Sequence, residues 1–341
     1  MNLLMNKKIL ILNTGGTISS VKTQNGYEPA QGYVIAAMSV IPALRHHELP
    51  HYHITEYNPL IDSSNITPEN WNMLAQNIFN EYNNYAGFII FHGTDTMAYT
   101  AAALSFMLAN LNKPVIITGS QIPLAEIRND AIDNIITSLW LCAHAPINEV
   151  CVYFNQHLLR GNRVQKINAQ SFNAFDSPNY PHLATIGMQI KLNQQLLLPK
   201  SELSLQIQTL TTQLIANFWL FPGFSTAILA ALLQQPLQAL ILETYGTGNA
   251  PNNNPEFLNL LQQASNKGII IVNCTQCMHG TIEMHEYATG NSLLHTGIIS
   301  GYDMTRETIY CKLLYLLSQN ISVAEMKQLM LTNLRGELTI N

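Results

Sequence analysis

The sequence predicts an α/β protein of two domains: a doubly wound parallel sheet at the N-terminus and a smaller α/β domain after it. Three observations carry this. At 341 residues the chain exceeds what one core usually serves. Its apolar runs are short and do not alternate, as in strands buried on both faces. Helical patterns lie between those runs, the rhythm of strand–loop–helix repeats.

The first run, "KKILILNTGGT", ends in Thr14-Gly15-Gly16-Thr17. Residues 19–33, "SSVKTQNGYEPAQGY", are polar and glycine-interrupted. They suit either a plain surface loop or a lid that closes over a site. "RHHELPHYH" offers His46, His47, His51 and His53. With no acid or thiol alongside them, a solvated turn explains these better than a metal site. In "NITPENWNMLAQNIF" Thr67 can cap a helix, Pro68 fits its first position and Glu69 suits its positive end. "GFIIFHGTDT" then ends in Gly93-Thr94-Asp95-Thr96 and leads into a helical pattern from Met97 to Asn110. "KPVIITGSQIP" ends in Gly119-Ser120-Gln121. A polar stretch lacking the rhythm predicts a linker over 191–212, between an N-terminal domain at 1–190 and a C-terminal one at 213–341. The grammar resumes in "LQALILETYGTGNAP" and "GIIIVNCTQCMHG".

Composition narrows the function. Net charge is −5 with no run of Lys or Arg, so the footprint of a nucleic-acid binder is missing. No window approaches 18 uninterrupted apolar residues, so no membrane span is expected. The start, "MNLLMNKKILILNTGG", lacks the apolar region and cleavage site of a signal peptide. The five cysteines are odd in number and scattered, which reads as reduced thiols in a cytoplasm. The "CTQC" at 274–277 lacks a second pair for zinc and suits two thiols in a tight turn. Only 11% of residues are charged against 47% hydrophobic, which favours burial of surface by self-association.

Ligands of open parallel sheets sit outside the carboxyl ends of the strands. Thr14, Thr17, Thr94, Asp95 and Ser120 all fall at such ends. Neither a G-x-G-x-x-G nor a P-loop is present there. Hydroxyls with one acid suit a small zwitterion and covalent acyl chemistry. The same residues also serve as ordinary caps and turns, and spacing alone leaves both readings open.

"NTGGTI" at 13–18 and "HGTDTMAYTAAAL" at 92–104 resemble the two signature motifs of the bacterial L-asparaginases, most closely the cytoplasmic type I branch. The resemblance continues through "YNPLIDSSNITPENW", "RGNRVQKINAQSFNAFDSPN", "YGTGNAP", "VNCTQCMHG" and "NLRGELT", almost the whole chain. It implies a flavodoxin-like N-terminal sheet with helices on both faces, no cofactor and no metal. It implies hydrolysis of L-asparagine through a threonyl ester, in the cytoplasm, by a homodimer or homotetramer, with L-glutamine a weaker substrate. Thr14 matches the nucleophile, and Tyr27 the loop tyrosine that bonds it. Thr94, Asp95 and Lys166 match a second catalytic group. Ser63 and Ser64 match the pair holding the substrate's backbone end, and Gly15, Asp62, Gly93 and Ser120 line the pocket. Cys277, Thr244 and Tyr245 match an effector site of some cytoplasmic members. Asn249 and Glu283 are the candidates for residues that reach into a neighbouring subunit's pocket, with Glu286 as an alternative.

Chemistry constrains those roles. A threonine hydroxyl is a weak nucleophile until a neighbour takes its proton. A lysine takes it only when its own charge is disfavoured, which a carboxylate opposes. Asp95 is therefore assigned to the substrate's ammonium, with Thr94 between substrate and Lys166. Backbone N–H groups near Thr94 are expected to steady the oxyanion. Two other classes fit the motifs. One is a non-catalytic amino-acid sensor, which should lack a catalytic position. The other is an amidotransferase subunit, which usually carries an extra segment before the first signature.

Overall fold

A computed structural model describes residues 7–286 and 288–340. Contacts divide the chain into two compact units, one through Gln208 and one from Thr209.

The first unit is built on an eight-stranded sheet. Five strands run parallel in the spatial order His51–Ile61, Lys8–Gly15, Gly87–Phe91, Val115–Thr118, Val150–Phe154. Counted along the chain this is the flavodoxin-like order 2-1-3-4-5. Three antiparallel strands, His157–Arg160, Ala184–Ile186 and Ile190–Leu192, extend the far edge. Alternate residues of each strand point to opposite faces. Ile9, Ile11, Ile89, Phe91 and Ile116 pack with Val34 and Met38 of the Tyr33–Val40 helix and Ile135 and Leu139 of the Ala131–His144 helix. Leu10, Leu12, Ile90 and Ile117 are equally buried and face the other way. That side takes the Met97–Met107 helix, which packs on the sheet and on the Pro68–Glu81 helix.

The N-terminus of the Pro68–Glu81 helix is fixed as the sequence predicts, with the Asn70 side chain accepting from the Thr67 N–H at 2.8 Å. The next helix ends at Met107, three residues before the expected Asn110. Leu108–Ala109 leaves the helix to pair with Gln206–Ile207, and Asn110 takes a left-handed φ of 65°. The stretch read as a linker is thus partly built into the first unit. Ile190–Leu192 is a sheet strand, and Leu205 is buried. Polar side chains on an edge strand hide its period.

The second unit carries four parallel strands, Ile215–Trp219, Ala239–Thr244, Ile270–Thr275 and Ile299–Ser300, in that order. Thr226–Leu233 and Pro255–Asn266 cover one face, and Arg306–Leu317 and Val323–Met330 the other. The Lys312 ammonium, fully buried, lies 2.5 Å from the equally buried Glu337 carboxylate and also donates to the Met330 and Thr332 carbonyls.

Candidate active site

In this sheet the strand order reverses between Lys8–Gly15 and Gly87–Phe91. The loops that leave those two strands open the crevice where α/β sheets hold ligands. Asn13 pairs opposite Phe91, so Thr14 sits on the strand beside the one that runs into Thr94.

Backbone packs directly on backbone here. A Cβ on Gly16 would lie 2.3 Å from Gly93 N, and one on Gly15 2.6 Å from Ile61 O. Both glycines also hold positive φ, 121° and 80°, a region costly for other residues. A Cβ on Gly93 would meet Ser63 Oγ at 2.4 Å, and one on Gly119 would meet His92 O at 2.3 Å. The four loops bearing Thr14, Ser63, Thr94 and Ser120 therefore converge because small residues let them touch.

Thr14 is buried, and its hydroxyl donates to Phe91 O at 2.8 Å. The preceding Asn13 is a brace. Its Oδ1 accepts from Gly15 N at 3.1 Å and Ser19 Oγ at 2.8 Å, while its Nδ2 donates to Glu56 Oε1 at 2.8 Å. Glu56 Oε2 accepts from Gly32 N at 2.7 Å, at the foot of the segment that carries Tyr27. Lys166 comes in on a two-residue antiparallel ribbon opposite Phe175, whose ring meets Phe154 edge-on at 5.0 Å. Its ammonium donates to Thr94 Oγ1 at 2.9 Å and to Asp95 Oδ1 at 2.8 Å.

That pairing gives Asp95 a partner the sequence reading did not assign to it, since one carboxylate oxygen is held by the lysine. The Asp95 side chain is 63% exposed and makes no other hydrogen bond among the described residues, which leaves its second oxygen open to a ligand cation. Tyr27 also differs from expectation. Residues Ser20–Thr23 and Gly26–Pro29 form an antiparallel hairpin, and the half-exposed Tyr27 donates to Glu126 Oε1 at 2.7 Å instead of meeting Thr14. The Glu126 carboxylate raises the Tyr27 phenol above its ordinary value. Ser64 donates from both its hydroxyl and its N–H to Asp62 Oδ1, at 2.8 and 2.9 Å. Ser63 O accepts from Thr96 Oγ1 at 2.6 Å, which ties the 61–64 loop to the 92–96 loop. Ser120 is fully buried, and its hydroxyl has no partner among the described residues.

Asp130 was not foreseen. It accepts from Gln121 N at 2.9 Å and Ile122 N at 3.0 Å, which fixes the loop after Ser120. Glu56, Glu126 and Asn13 were missed in the same way, since each acts on residues distant in sequence.

In the second unit, Thr244 is buried and its hydroxyl donates to Asn273 Oδ1 at 2.6 Å. Tyr245 pairs with Asn249 across a turn, Cys277 is exposed, and Cys274 is buried with a thiol that burial pushes up to about 12. Glu283 holds the exposed Glu286 carboxyl above its usual range. Among the described residues no helix is long and apolar enough to cross a membrane.

A family model of the asparaginase N-terminal domain matches residues 8–198. Another, of the glutaminase/asparaginase C-terminal domain, matches residues 215–330. The chain belongs to the asparaginase family. It is 48% identical over 333 residues to L-asparaginase 1 of Escherichia coli K12, covering 98% of each chain. A crystal structure of L-asparaginase I from Vibrio cholerae superposes with a TM-score of 0.92 at 46% identity, over 98% of this chain and 99% of that one. The L-asparaginase of Thermococcus kodakarensis superposes at 0.88 with 29% identity, over 98% and 100%. Within the asparaginase family, then, the crevice at the strand reversal is the part of this fold that needs a chemical account.

Proposed function

We propose that this asparaginase-family chain hydrolyses L-asparagine to L-aspartate and ammonia through an ester on Thr14. The observation that carries the reading is the Lys166 ammonium donating at once to Thr94 and Asp95 beside Thr14's strand. Because Lys166 donates to Thr94 Oγ1, the Thr94 proton is left to point onward, toward the nitrogen that leaves. The open oxygen of Asp95 takes the substrate's ammonium, and the Asp62–Ser63–Ser64 loop its carboxylate. Thr14 Oγ gives up its proton as it attacks the side-chain amide carbon, the C–N bond breaks, and that proton, relayed through the Thr94 hydroxyl, leaves on the nitrogen as ammonia. Water then cleaves the ester, returning the Thr14 hydroxyl and releasing aspartate. Tyr27 must leave Glu126 to reach Thr14, so the hairpin closes during the cycle. Lining from Gly15, Gly93 and Ser120 shapes the pocket, and the reaction needs no cofactor.

The same reading places the protein in the cytoplasm as a homodimer or homotetramer, with the low charge fraction as its support. L-Glutamine is a slower substrate, since one methylene discriminates by only about 10–200-fold. Steady-state ammonia release on L-asparagine and L-glutamine over a wide concentration range tests the proposal. A folded protein that binds L-asparagine without releasing ammonia is a sensor, and the hydrolase reading then fails. A sigmoid rate curve would bring Cys277, Thr244 and Tyr245 forward as an effector site, and a hyperbolic one would remove it.

A further inference from the structure

We propose that His92 is a positioning residue, which aims the Thr94 N–H at the reacting carbonyl through a buried chain of hydrogen bonds running Trp71–Thr100–His92–Gly93. The inference rests on the amidohydrolase reading and adds to it a group that touches no substrate.

His92 is fully buried at the end of the Gly87–Phe91 strand, its own N–H held by Thr118 O at 2.9 Å. Its Nε2 lies 2.8 Å from Thr100 Oγ1, and its Nδ1 lies 2.7 Å from Gly93 O. Trp71 Nε1 lies 2.9 Å from the same Thr100 oxygen. An indole N–H only donates. Thr100 accepts from Trp71. The Gly93 carbonyl oxygen can only accept, so the ring carries a proton on Nδ1 and donates it there. In the neutral ring Nε2 is then bare and accepts the Thr100 hydroxyl proton. A charged ring would make Thr100 accept twice and turn its own proton away from His92. Burial favours the neutral ring in any case, lowering His92 to about 4.

The consequence lies on the other edge of the peptide. The Gly93–Thr94 unit is planar, with its C=O and N–H opposed. Holding Gly93 O toward the interior turns the Thr94 N–H the other way. That N–H has no partner within the chain among the described residues. Glycine has no side chain to bias the peptide plane, and none would fit against Ser63. The imidazole supplies the bias that a Cβ would otherwise give.

Two measurements test this. In the wild-type protein, ¹⁵N NMR of labelled histidine reads the tautomer directly. A neutral ring protonated on Nδ1 is expected, and a proton on Nε2 would overturn the proposal whatever the variants do. For catalysis, kcat and KM for L-asparagine are compared among Thr100→Val, His92→Asn and His92→Gln, each checked for a native circular dichroism spectrum. Losing an oxyanion donor costs about 10²–10³ in kcat. Thr100→Val, which removes the ring's partner at Nε2 and frees the imidazole to turn away from Gly93 O, should lower kcat by about tenfold or more with KM within about twofold. His92→Asn keeps a donor near Nδ1 and should retain more kcat than His92→Gln, whose amide reaches toward Thr100. Folded Asn and Gln variants of equal kcat, or a Thr100→Val enzyme with wild-type kcat, would sink the positioning role. A wild-type protein that releases no ammonia would instead sink the hydrolase reading, with the tautomer still scored by NMR.

Discussion

Thr14 spends its proton on the Phe91 carbonyl, so removing its oxygen should be mild for the fold and severe for the chemistry. Thr14→Ala should abolish ammonia release while lowering stability by only about 1 kcal/mol, the worth of one hydrogen bond. Near-normal hydrolysis by that variant would take Thr14 out of the nucleophile role. Lys166→Met should cut kcat by about 10²–10³, comparable to losing an oxyanion-hole donor. Retained activity would mean that Thr94 needs no donor. His92 adds a pH dependence of stability. Its folded value is near 4 against an ordinary 6.5, because burial disfavours the charge. Above 6.5 neither state binds the proton. As pH falls from 6.5 toward 4 the unfolded chain takes it up and the folded one does not, so stability is lost over that window. The loss is on the order of 3 kcal/mol. Urea unfolding at pH 7 and pH 4.5 should show a larger drop for wild type than for His92→Asn, and equal drops would contradict the assignment. At this scale the sequence displayed the hydroxyls plainly, since glycine–hydroxyl pairs after buried strands are local patterns. Lys166 was legible only by resemblance, because a lone lysine in a polar loop looks like any solvated one. Glu56 and Glu126 were illegible, for their partners lie 24 and 99 residues away or more.

Among the elements, the turn after the first strand is the least tolerant. Gly16→Ala should prevent stable folding or displace the Gly93 loop, because the new Cβ would sit 2.3 Å from a backbone nitrogen at a φ of 80°. A soluble Gly16→Ala protein with full activity would show that the two loops can part. The hairpin behaves in the opposite way. Its outer residues are exposed, and Tyr27 is held by a bond to one half-buried carboxylate. Glu126→Ala should speed hydrogen exchange of the Ser20–Glu28 amides, and unchanged exchange would place the hairpin's restraint elsewhere. Composition identified this segment as polar and interrupted but not as two paired strands. A surface hairpin of two four-residue strands, with Ser20 its one buried residue, has too little buried face to write a period into the sequence. Helix starts were better marked than helix ends. Thr67-Pro68 is a local signal, whereas the stop at Met107 depends on a strand pairing with residues 206–207.

For the molecule as a whole, the buried Lys312–Glu337 pair holds the end of the chain to the second unit. Glu337→Gln would leave the ammonium buried without its counter-charge, a loss of about 3–5 kcal/mol. A thermal midpoint within a degree of wild type would show that the Met330 and Thr332 carbonyls suffice. Two α/β units were legible because buried parallel strands are apolar throughout. The strand order was legible only through the resemblance, which implied the flavodoxin-like sheet, since neighbours in a sheet leave no mark on one another's sequence. That order carries a consequence for biosynthesis. The strand bearing Thr14 is made before both of its sheet neighbours, which come from residues 51–61 and 87–91. A ribosome that stalls before Lys166 emerges holds a polypeptide with both alcohols and no cation to orient them. Under the proposed mechanism, translation delivers the hydrolytic machinery late, and a fragment ending before Lys166 would release no ammonia.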